Sequence, residues 1–345
     1  MQKGDRYGAH RVIEPKGVLP QAAWKIDNSM TIYDNEIKCN VITLNIDSAS
    51  FTQIKEQAGG DDKKIGEIIL DTVAKRGKQH NPVTGSGGMF IGIVSEIGDA
   101  LKGRIDLKVG DKIASLVSLS TTPLEIKKIV KVKQDKEQVD IEGSAILFES
   151  GIWAKLPSHI PETVALAALD VAGAAPQVAK LVKPGDTVFI IGATGKSGLL
   201  CSYEAKKRTG INGKVIGLGH SQNKVERLKK LGYCDEVICV DATNPIAVLE
   251  AFTKASGGKL ADVTINTVNI PNTEMSSILP TRDDGLIYFF SMATSFTKAA
   301  LGAEGVGKDV VMLIGNGYTK GHAAFTLHML DESKELLKIF TELYS

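Results

Sequence analysis

Residues 188–200, Val-Phe-Ile-Ile-Gly-Ala-Thr-Gly-Lys-Ser-Gly-Leu-Leu, are the stretch that decides the fold of this chain. Large aliphatic residues typical of a buried strand lead into a glycine turn, and the turn opens a helix. Gly192, Gly195 and Gly198 allow a tight turn, a close approach of the backbone to a pyrophosphate, and close packing of helix on strand. The free N–H groups at the start of such a helix face an anion. The stretch therefore predicts a dinucleotide-binding βα unit.

A glycine triplet alone is weak evidence, but the residues around it agree with this interpretation. From about Pro161 onward, apolar strands alternate with amphipathic helices such as 199–208 and 223–231, and a last amphipathic helix is predicted over 331–343. Six segments have the length and composition of buried strands: 187–191, 214–218, 236–240, 261–266, 285–290 and 309–314. Such alternation predicts a parallel sheet with helices on both faces, the doubly wound fold.

The residues before about Ser158 have a different texture. Short β-rich runs, at 38–46, 89–97 and 111–119, are broken by Gly, Pro, Asp and Asn, which is typical of a small barrel or sandwich. A chain of 345 residues has the length of two domains. We therefore predict a β-rich domain over 1–160 and a dinucleotide-binding domain over 161–345.

Composition excludes several function classes. Basic and acidic side chains number 41 and 40, so no net field favours nucleic acid or an anionic membrane, and the Lys-rich stretch 126–136 is interpreted as a solvated strand or hairpin edge. No apolar run approaches the roughly 20 residues of a membrane span. The N-terminus has no apolar signal segment, and the four cysteines form no Cys-x-x-Cys pair. These features favour the reducing cytoplasm.

The residue that distinguishes NAD from NADP lies about 20 residues after the glycine turn, where NAD enzymes have an acidic side chain. Gly219 occupies that position, and donors able to bind a phosphate follow it. This favours NADP over NAD, although NAD could bind without the carboxylate and Lys224 could be an ordinary surface residue. The residues expected to contact the cofactor are Gly192, Thr194, Gly195, Lys196, Ser197, Gly198, His220, Ser221, Asn223, Lys224, Thr267 and Ser291.

Several motifs resemble the medium-chain dehydrogenase/reductase family. They are Gly-Gly-Met-Phe-Ile-Gly-Ile-Val-Ser-Glu-Ile-Gly at 87–98, Lys-Val-Gly-Asp-Lys-Ile-Ala at 108–114, Trp-Ala-Lys-Leu-Pro at 153–157, and Val-Lys-Pro-Gly-Asp-Thr-Val at 182–188. The resemblance implies a GroES-like β-barrel catalytic domain followed by a Rossmann domain, with the active site in the cleft between them.

The same motifs depart from the zinc-dependent members of that family. Gly87-Gly88-Met89 stands where those members have Gly-His-Glu, and the cysteines they use align near Asp47 and Ala167. Zinc needs three or four N, S or O ligands in a tetrahedral array, and none can be assembled from these positions. We therefore expect zinc-independent chemistry.

Two further segments resemble one group within the family, the 3,5-diaminohexanoate dehydrogenases of lysine fermentation. They are residues 4–24, which begin Gly-Asp-Arg-Tyr-Gly-Ala-His-Arg, and residues 315–323, Gly-Asn-Gly-Tyr-Thr-Lys-Gly-His-Ala. The resemblance implies NAD(P)-dependent oxidative deamination of L-erythro-3,5-diaminohexanoate to 5-amino-3-oxohexanoate and ammonia. The alternatives are a zinc-independent enoyl or quinone reductase using NADPH, and a nucleotide-binding sensor without enzymatic activity. By family analogy we expect a homodimer joined through the strand 309–314.

Amine oxidation without a metal calls for an acidic group and a proton relay. Asp47 is the first candidate to bind or deprotonate an ammonium, with Ser48 or Ser50 as relay, although Asp47 could equally be a helix cap. His80 and Glu149 are alternative acid/base groups, each also consistent with an ordinary surface position. The remaining candidates are His322 (cofactor contact or helix cap), Arg11 and Lys298 (carboxylate partners or surface residues) and Cys39 (no base partner).

Overall fold

A computed structural model describes residues 1–315 and 317–344. Asn316, which falls in the family segment 315–323, and Ser345, the last residue of the second predicted domain, lie outside the described residues. The chain divides into two compact units, Met1–His159 and a second unit that begins at Ile160. We describe each unit by itself.

The first unit is built on an antiparallel sheet. Its strands are β1 (Val12–Glu14), β2 (Lys25–Ile26), β3 (Glu36–Asn45), β4 (Met89–Ile97), β5 (Lys112–Ser115), β6 (Leu124–Lys133), β7 (Gln138–Phe148) and β8 (Trp153–Lys155). Six of them form one sheet in the order β6-β7-β3-β4-β5-β8, and β1 pairs with β2. The inward side chains of the central strands, among them Cys39, Val41 and Leu44 of β3, form the hydrophobic core. This agrees with the β-rich character predicted for these residues.

The Lys-rich stretch 126–136 covers most of β6 and its turn into β7. β6 is an edge strand, and Lys127, Lys128 and Lys131 are exposed. Charged side chains on an edge strand discourage pairing with another chain. The interpretation as a solvated hairpin edge is confirmed.

Two helices of the first unit were not predicted: α1 (Ser48–Gln57) and α2 (Asp62–Arg76). Both begin at an aspartate whose side chain accepts a hydrogen bond from a backbone N–H of the first turn. The buried residues Ile65, Ile69 and Val73 of α2 recur every four positions, which is the spacing of a helix that buries one face. The signal was present, although β-rich segments on both sides obscured it.

A buried ion pair between Arg11 and Glu36 holds the N-terminal segment against this sheet. Arginine side chains are ordinarily exposed, but Arg11 is only 1% exposed. The expectation that Arg11 is a surface residue was therefore wrong. Its Nε donates to Glu36 Oε1 at 2.6 Å and its Nη2 to Glu36 Oε2 at 2.7 Å. Its remaining N–H groups donate to the backbone carbonyls of Ser29 and Thr31.

The second unit is a parallel sheet with helices between its strands. The helices that precede the sheet are α3 (Glu162–Leu169) and α4 (Ala174–Leu181). The strands are β9 (Thr187–Ile191), β10 (Lys214–Gly219), β11 (Glu236–Cys239), β12 (Ala261–Asn266), β13 (Thr281–Phe289) and β14 (Val310–Ile314). The later helices are α5 (Lys196–Thr209), α6 (Gln222–Leu231), α7 (Pro245–Ser256), α8 (Glu274–Ile278), α9 (Phe296–Gly305), α10 (His322–Glu332) and α11 (Lys334–Tyr344).

The strand order of this sheet is β11-β10-β9-β12-β13-β14, and every neighbouring pair is parallel. This is the order of a doubly wound dinucleotide-binding sheet, as predicted. All five residues of β9 are buried, because this strand lies at the centre with helices on both faces.

Two details of the second unit differ from expectation. β14 is not buried: as an edge strand it has one neighbour, and Val311 and Ile314 are 54% and 68% exposed. The amphipathic helix predicted over 331–343 is divided at Ser333, whose hydroxyl accepts a hydrogen bond from the Leu336 N–H at 3.1 Å and so starts α11. No single described helix is long and apolar enough to cross a membrane; only α3 and α4 taken together, across a bend of 49°, meet the length and composition test.

Candidate functional site

The turn after β9 is held in a shape that only glycine permits. Gly192 has φ +85°, and a Cβ there would lie 2.9 Å from Thr267 Oγ1. A Cβ on Gly198 would lie 2.1 Å from the Gly192 carbonyl oxygen, so α5 packs directly on the turn. Gly195 is the N-cap of α5, and no described side chain caps that end. The first N–H groups of α5 are therefore available to an anion.

Other strand ends bring polar groups to the same edge of the sheet. β9 lies between β10 and β12, so its turn sits where the connections diverge to the two sides. Thr267, directly after β12, donates from both its N–H and its hydroxyl to the Ile191 carbonyl at 2.9 Å. Ser291 follows β13, and its N–H donates to the Asn266 carbonyl at 3.2 Å. The structure therefore brings Thr267 to the glycine turn and Ser291 to the same edge of the sheet.

Asn266 is a residue of this edge that sequence reasoning missed. It is fully buried, and its Nδ2 donates to Thr273 Oγ1 at 2.9 Å and to Ser277 Oγ at 3.0 Å. Its Oδ1 accepts from the Val268 N–H at 3.2 Å. Asn266 thus fixes the loop that carries Thr267. An amide at the end of an otherwise apolar strand was the available signal.

The end of β10 carries the groups expected to select the cofactor. A Cβ on Gly219 would lie 2.6 Å from Thr194 Cγ2 and 2.9 Å from Val225 Cγ2, so an acidic side chain there would have to displace both neighbours. His220, Ser221, Asn223 and Lys224 follow, and all four are exposed. Ser221 is the N-cap of α6 but makes no side-chain capping bond, and Lys224 lies in the first turn of the same helix. These donors are free to bind a phosphate.

The first turn of α5 has one residue that is already engaged. The ammonium of Lys196 donates to Asp170 Oδ2 at 2.6 Å, while Ser197 is half-buried beside it. The glycine cradle, the uncapped start of α5 and the free donors after β10 together fit a dinucleotide.

In the first unit, Asp47 is both a helix cap and an unsatisfied carboxylate. Its Oδ1 accepts from the Ser50 N–H at 3.1 Å, while its buried Oδ2 has no hydrogen-bond partner among the described residues. Gly88 has φ +96°, and a Cβ there would lie 2.1 Å from the Asn45 carbonyl oxygen and 2.8 Å from the Asp47 N. The glycine pair at 87–88 therefore allows β4 to pack against the segment that carries Asp47.

The two predicted serines have separate partners. The Ser48 hydroxyl bonds to the carboxylate of Glu137, a residue held at φ +55° in the hairpin turn between β6 and β7. Ser50 is fully buried, and its hydroxyl lies 2.6 Å from Thr84 Oγ1 and 2.8 Å from Ser86 Oγ. Glu137, Thr84 and Ser86 were missed, because only the tertiary fold brings them to α1.

His80 lies in the loop after α2 as a neutral imidazole. Burial, together with the positive charges of Lys78 and Arg76, lowers the pKa of His80 to about 4. Its buried Nδ1 has no partner among the described residues. At neutral pH the ring is therefore uncharged and cannot act as an imidazolium acid.

The structure separates Glu149 from Asp47. Glu149 follows Phe148, which pairs with Glu36 at the start of β3, whereas Asp47 follows the end of β3. Ten residues of strand span about 30 Å. The Glu149 carboxylate accepts from Asn35 Nδ2 at 3.3 Å and lies 3.6 Å from the guanidinium of Arg104.

Burial or a neighbouring side chain accounts for the other candidates. Burial raises the pKa of Cys39 to about 12, which keeps the thiol protonated. His322 is the first residue of α10, and burial lowers its pKa. The Lys298 ammonium bonds to the Asn272 side chain. Within 1–315 and 317–344, no group of three or more His, Cys, Asp or Glu side chains is placed to hold a metal ion.

Comparisons with known proteins agree with this geometry. A family model of the L-erythro-3,5-diaminohexanoate dehydrogenase N-terminal domain matches residues 10–157. The chain is 61% identical over 342 residues to the L-erythro-3,5-diaminohexanoate dehydrogenase of Acetoanaerobium sticklandii, covering 99% of both chains. It is 60% identical over 344 residues to the enzyme of the same name from Fusobacterium nucleatum subsp. nucleatum, covering 100% of both.

Among solved structures, the chain resembles the Escherichia coli quinone oxidoreductase complexed with NADPH, with a TM-score of 0.53 and 18% identity. The match covers 92% of this chain and 84% of the oxidoreductase. At that identity the likeness concerns the fold, and it confirms the predicted combination of a GroES-like and a Rossmann domain.

Proposed function

This chain belongs to the L-erythro-3,5-diaminohexanoate dehydrogenase family, and from that membership we propose how its residues divide the work of the reaction. The chain is an oxidoreductase that acts on a CH–NH₂ group, with 5-amino-3-oxohexanoate and ammonia as products. The observation that carries this conclusion is 61% identity over 99% of the chain. The alternative, a quinone or enoyl reductase, is supported only by likeness of fold at 18% identity.

The overall reaction sets what the protein must supply. The C3 ammonium loses a proton and C3 loses a hydride; water then replaces the resulting imine nitrogen, so that one ketone, one ammonium, one proton and one reduced cofactor are formed. A nicotinamide dinucleotide, when bound, supplies the hydride acceptor. We propose that the uncapped N–H groups of α5 and the turn at Gly192 hold its pyrophosphate.

We assign Asp47 to the substrate amine. Its unpartnered Oδ2 can accept a hydrogen bond from an ammonium while Oδ1 continues to cap α1. Ordinary carboxyl and alkylammonium groups differ by about 6 pKa units, or about 8 kcal/mol, so a carboxylate holds an ammonium far more readily than it deprotonates one. The hydroxyls of Ser50, Thr84 and Ser86 form a connected path along which a proton can move.

The function is tested by absorbance at 340 nm with purified protein, NADP or NAD, and racemic 3,5-diaminohexanoate at mildly alkaline pH. Reduction of the cofactor with release of an equal amount of ammonia is the expected result. We propose zinc-independent chemistry, so treatment with a chelator should leave the rate unchanged. No reduction with either cofactor would remove the substrate assignment and direct the search to enals and quinones with NADPH.

We propose NADP as the preferred cofactor, with its 2′-phosphate at Ser221, Asn223 and Lys224. Lys224→Glu is expected to raise the KM for NADP by about 10- to 100-fold, because it places a carboxylate beside a group of about −1.5 to −2 charges. The kcat/KM for NAD should change less than about threefold. Lys230→Glu is the matched control, since this exposed lysine lies at the far end of the same helix. An equal change for both cofactors would argue against the phosphate site.

We propose a homodimer joined through β14. Val311 and Ile314 are exposed on this edge strand, and Met292 and Phe296 nearby are 86% and 71% exposed. An apolar edge strand can pair with its own copy, since both copies offer the same row of N–H and C=O groups. Sedimentation at micromolar concentration should give about twice the 36.8 kDa chain mass. Ile314→Lys should give a monomer, whereas Ile211→Lys, at a fully exposed position after α5, should leave the dimer intact.

A further inference from the structure

A cavity of about 500 Å³ opens at the surface of the first unit, between α1 and α2. α1 lines it with Ile54 and Gln57, α2 with Glu67 and Asp71, and the segment after α2 with Gln79. The volume falls in the range of small-molecule sites and is far larger than one water needs. None of the roles assigned above uses this cavity.

Gln79 is the feature that points to a ligand. It is 0% exposed, it lines the cavity, and neither its amide nitrogen nor its amide oxygen has a hydrogen-bond partner among the described residues. Native proteins satisfy nearly all buried polar groups, because an unpaired one lowers stability. Asn81 beside it is satisfied, since it bonds to Gln53 Oε1, the Ser50 carbonyl and the N–H groups of Val83 and Thr84. The free donor and acceptor at this wall therefore belong to Gln79.

The mouth of the cavity carries charges that a ligand could engage. Glu67 and Asp71 are one turn apart on α2. Glu67 lies 3.9 Å from Lys63 and Asp71 lies 2.6 Å from Lys75, and each lysine is one turn away on the same exposed surface. Pairs of this kind are weak, so a ligand ammonium can replace them. Lys64 adds one positive charge to the lining. The lining thus carries two negative charges and one positive charge.

We propose that this cavity binds a diamino carboxylate. The ligand's carboxylate lies at Lys64 and at the Gln79 amide nitrogen, one ammonium lies at the Gln79 amide oxygen, and the second ammonium lies at Glu67 and Asp71. Two ammonium groups and one carboxylate complement the charges of the lining, and Gln79 offers one donor and one acceptor. The choice of ligand rests on the proposed function, because the substrate is a diamino acid. The existence of the site rests on the cavity and on Gln79 alone.

The test is equilibrium dialysis of 3,5-diaminohexanoate against the full chain with saturating NADPH, a state in which the amine is not oxidised. Gln79→Met keeps the length of the side chain and removes both polar atoms. It should bind one equivalent fewer at saturation than the wild type, with a melting temperature that is unchanged or higher, because the removed atoms had no partners. Equal stoichiometry and affinity for the two proteins would overturn the proposal.

A second pair of variants keeps the test decisive if Gln79→Met does not fold. Glu67→Gln combined with Asp71→Asn changes only exposed positions of α2, and should weaken the same binding step about tenfold. Glu56→Gln removes an exposed carboxylate of α1 that does not line the cavity, and should bind as the wild type does. Unchanged affinity in the double variant would count against the site.

Simpler ligands test the two charge requirements one at a time, and comparison with the activity assay separates this inference from the proposed function. Pentane-1,5-diamine lacks the carboxylate and hexanoate lacks the ammonium groups, and each should bind at least tenfold more weakly than the diamino acid. If no cofactor is reduced in the activity assay but the extra equivalent still binds, the proposed function fails and this inference stands. If cofactor is reduced and Gln79→Met loses no equivalent, the inference fails alone.

Discussion

Asp47→Asn is expected to lower kcat/KM for 3,5-diaminohexanoate by about 30- to 5,000-fold, because removing one partner of a buried, hydrogen-bonded charge pair costs about 2–5 kcal/mol. Asparagine keeps an oxygen that can accept from the Ser50 N–H, and it caps helices about as well as aspartate does. It cannot hold an ammonium with a full negative charge. The loss should therefore appear in activity, measured as initial rates at 340 nm, with a melting temperature close to that of the wild type.

Asp61→Asn is the matched control for this prediction. Asp61 caps α2 as Asp47 caps α1, and its Oδ1 accepts from the Lys64 N–H at 2.9 Å. If Asp47 were only a cap, both variants would behave alike and retain activity, which would contradict the assignment. The split between kcat and KM then separates two roles. A loss mainly in KM identifies a residue that binds the ammonium, and a loss mainly in kcat identifies one that takes part in proton transfer.

The second domain could be predicted from the sequence because its signals are local. A glycine turn between a buried strand and a helix constrains adjacent residues, and the repeated alternation of strand and helix leaves few topologies. The clashes that a Cβ would meet at Gly192 and Gly198 show how strictly the turn depends on those residues. What the local signal could not show is position in the sheet. β14 has the composition of a central strand, but the order of the strands places it at an edge.

In the first domain, contacts between residues far apart in the sequence could not be predicted from local signals. Asp47 and Ser50 were found because one segment contains both. Glu137, in contrast, accepts a hydrogen bond from the hydroxyl of Ser48, which lies 89 positions earlier in the chain. Thr84 and Ser86 reach Ser50 across 34 and 36 positions. Contacts of that separation depend on how the strands pair, and neither periodicity nor residue type encodes the pairing directly. The identity of the substrate likewise came from resemblance and not from any spacing of residues.

Arg11 is the clearest case of a residue whose type misleads, and its removal should have the second large effect. Arg11→Met is expected to lower the stability of the first domain by about 3–5 kcal/mol, because Glu36 would remain as a buried charge without its main partner. Both tryptophans, Trp24 and Trp153, lie in this domain, so urea unfolding followed by their fluorescence reports on it alone. Arg6→Met, at an exposed position, should change stability by less than about 0.5 kcal/mol.

The pH dependence of the Arg11→Met effect tests its cause. Burial alone would raise the pKa of Glu36, but hydrogen bonds from Arg11, His10 and the Tyr33 N–H, with the charge of Arg11, hold it below the ordinary value of 4.5. A carboxyl with a lowered pKa stabilises the folded state above its unfolded pKa, and this contribution is lost as the pH falls through the folded pKa. In Arg11→Met, burial should instead favour the protonated carboxyl. The difference in stability between wild type and variant should therefore be largest near pH 7, begin to narrow above pH 4.5 as the carboxyl of the variant is protonated, and be smallest below the lowered pKa of the wild-type Glu36. A difference that stays constant from pH 7 to pH 3 would show that Arg11 acts through packing and not through its charge.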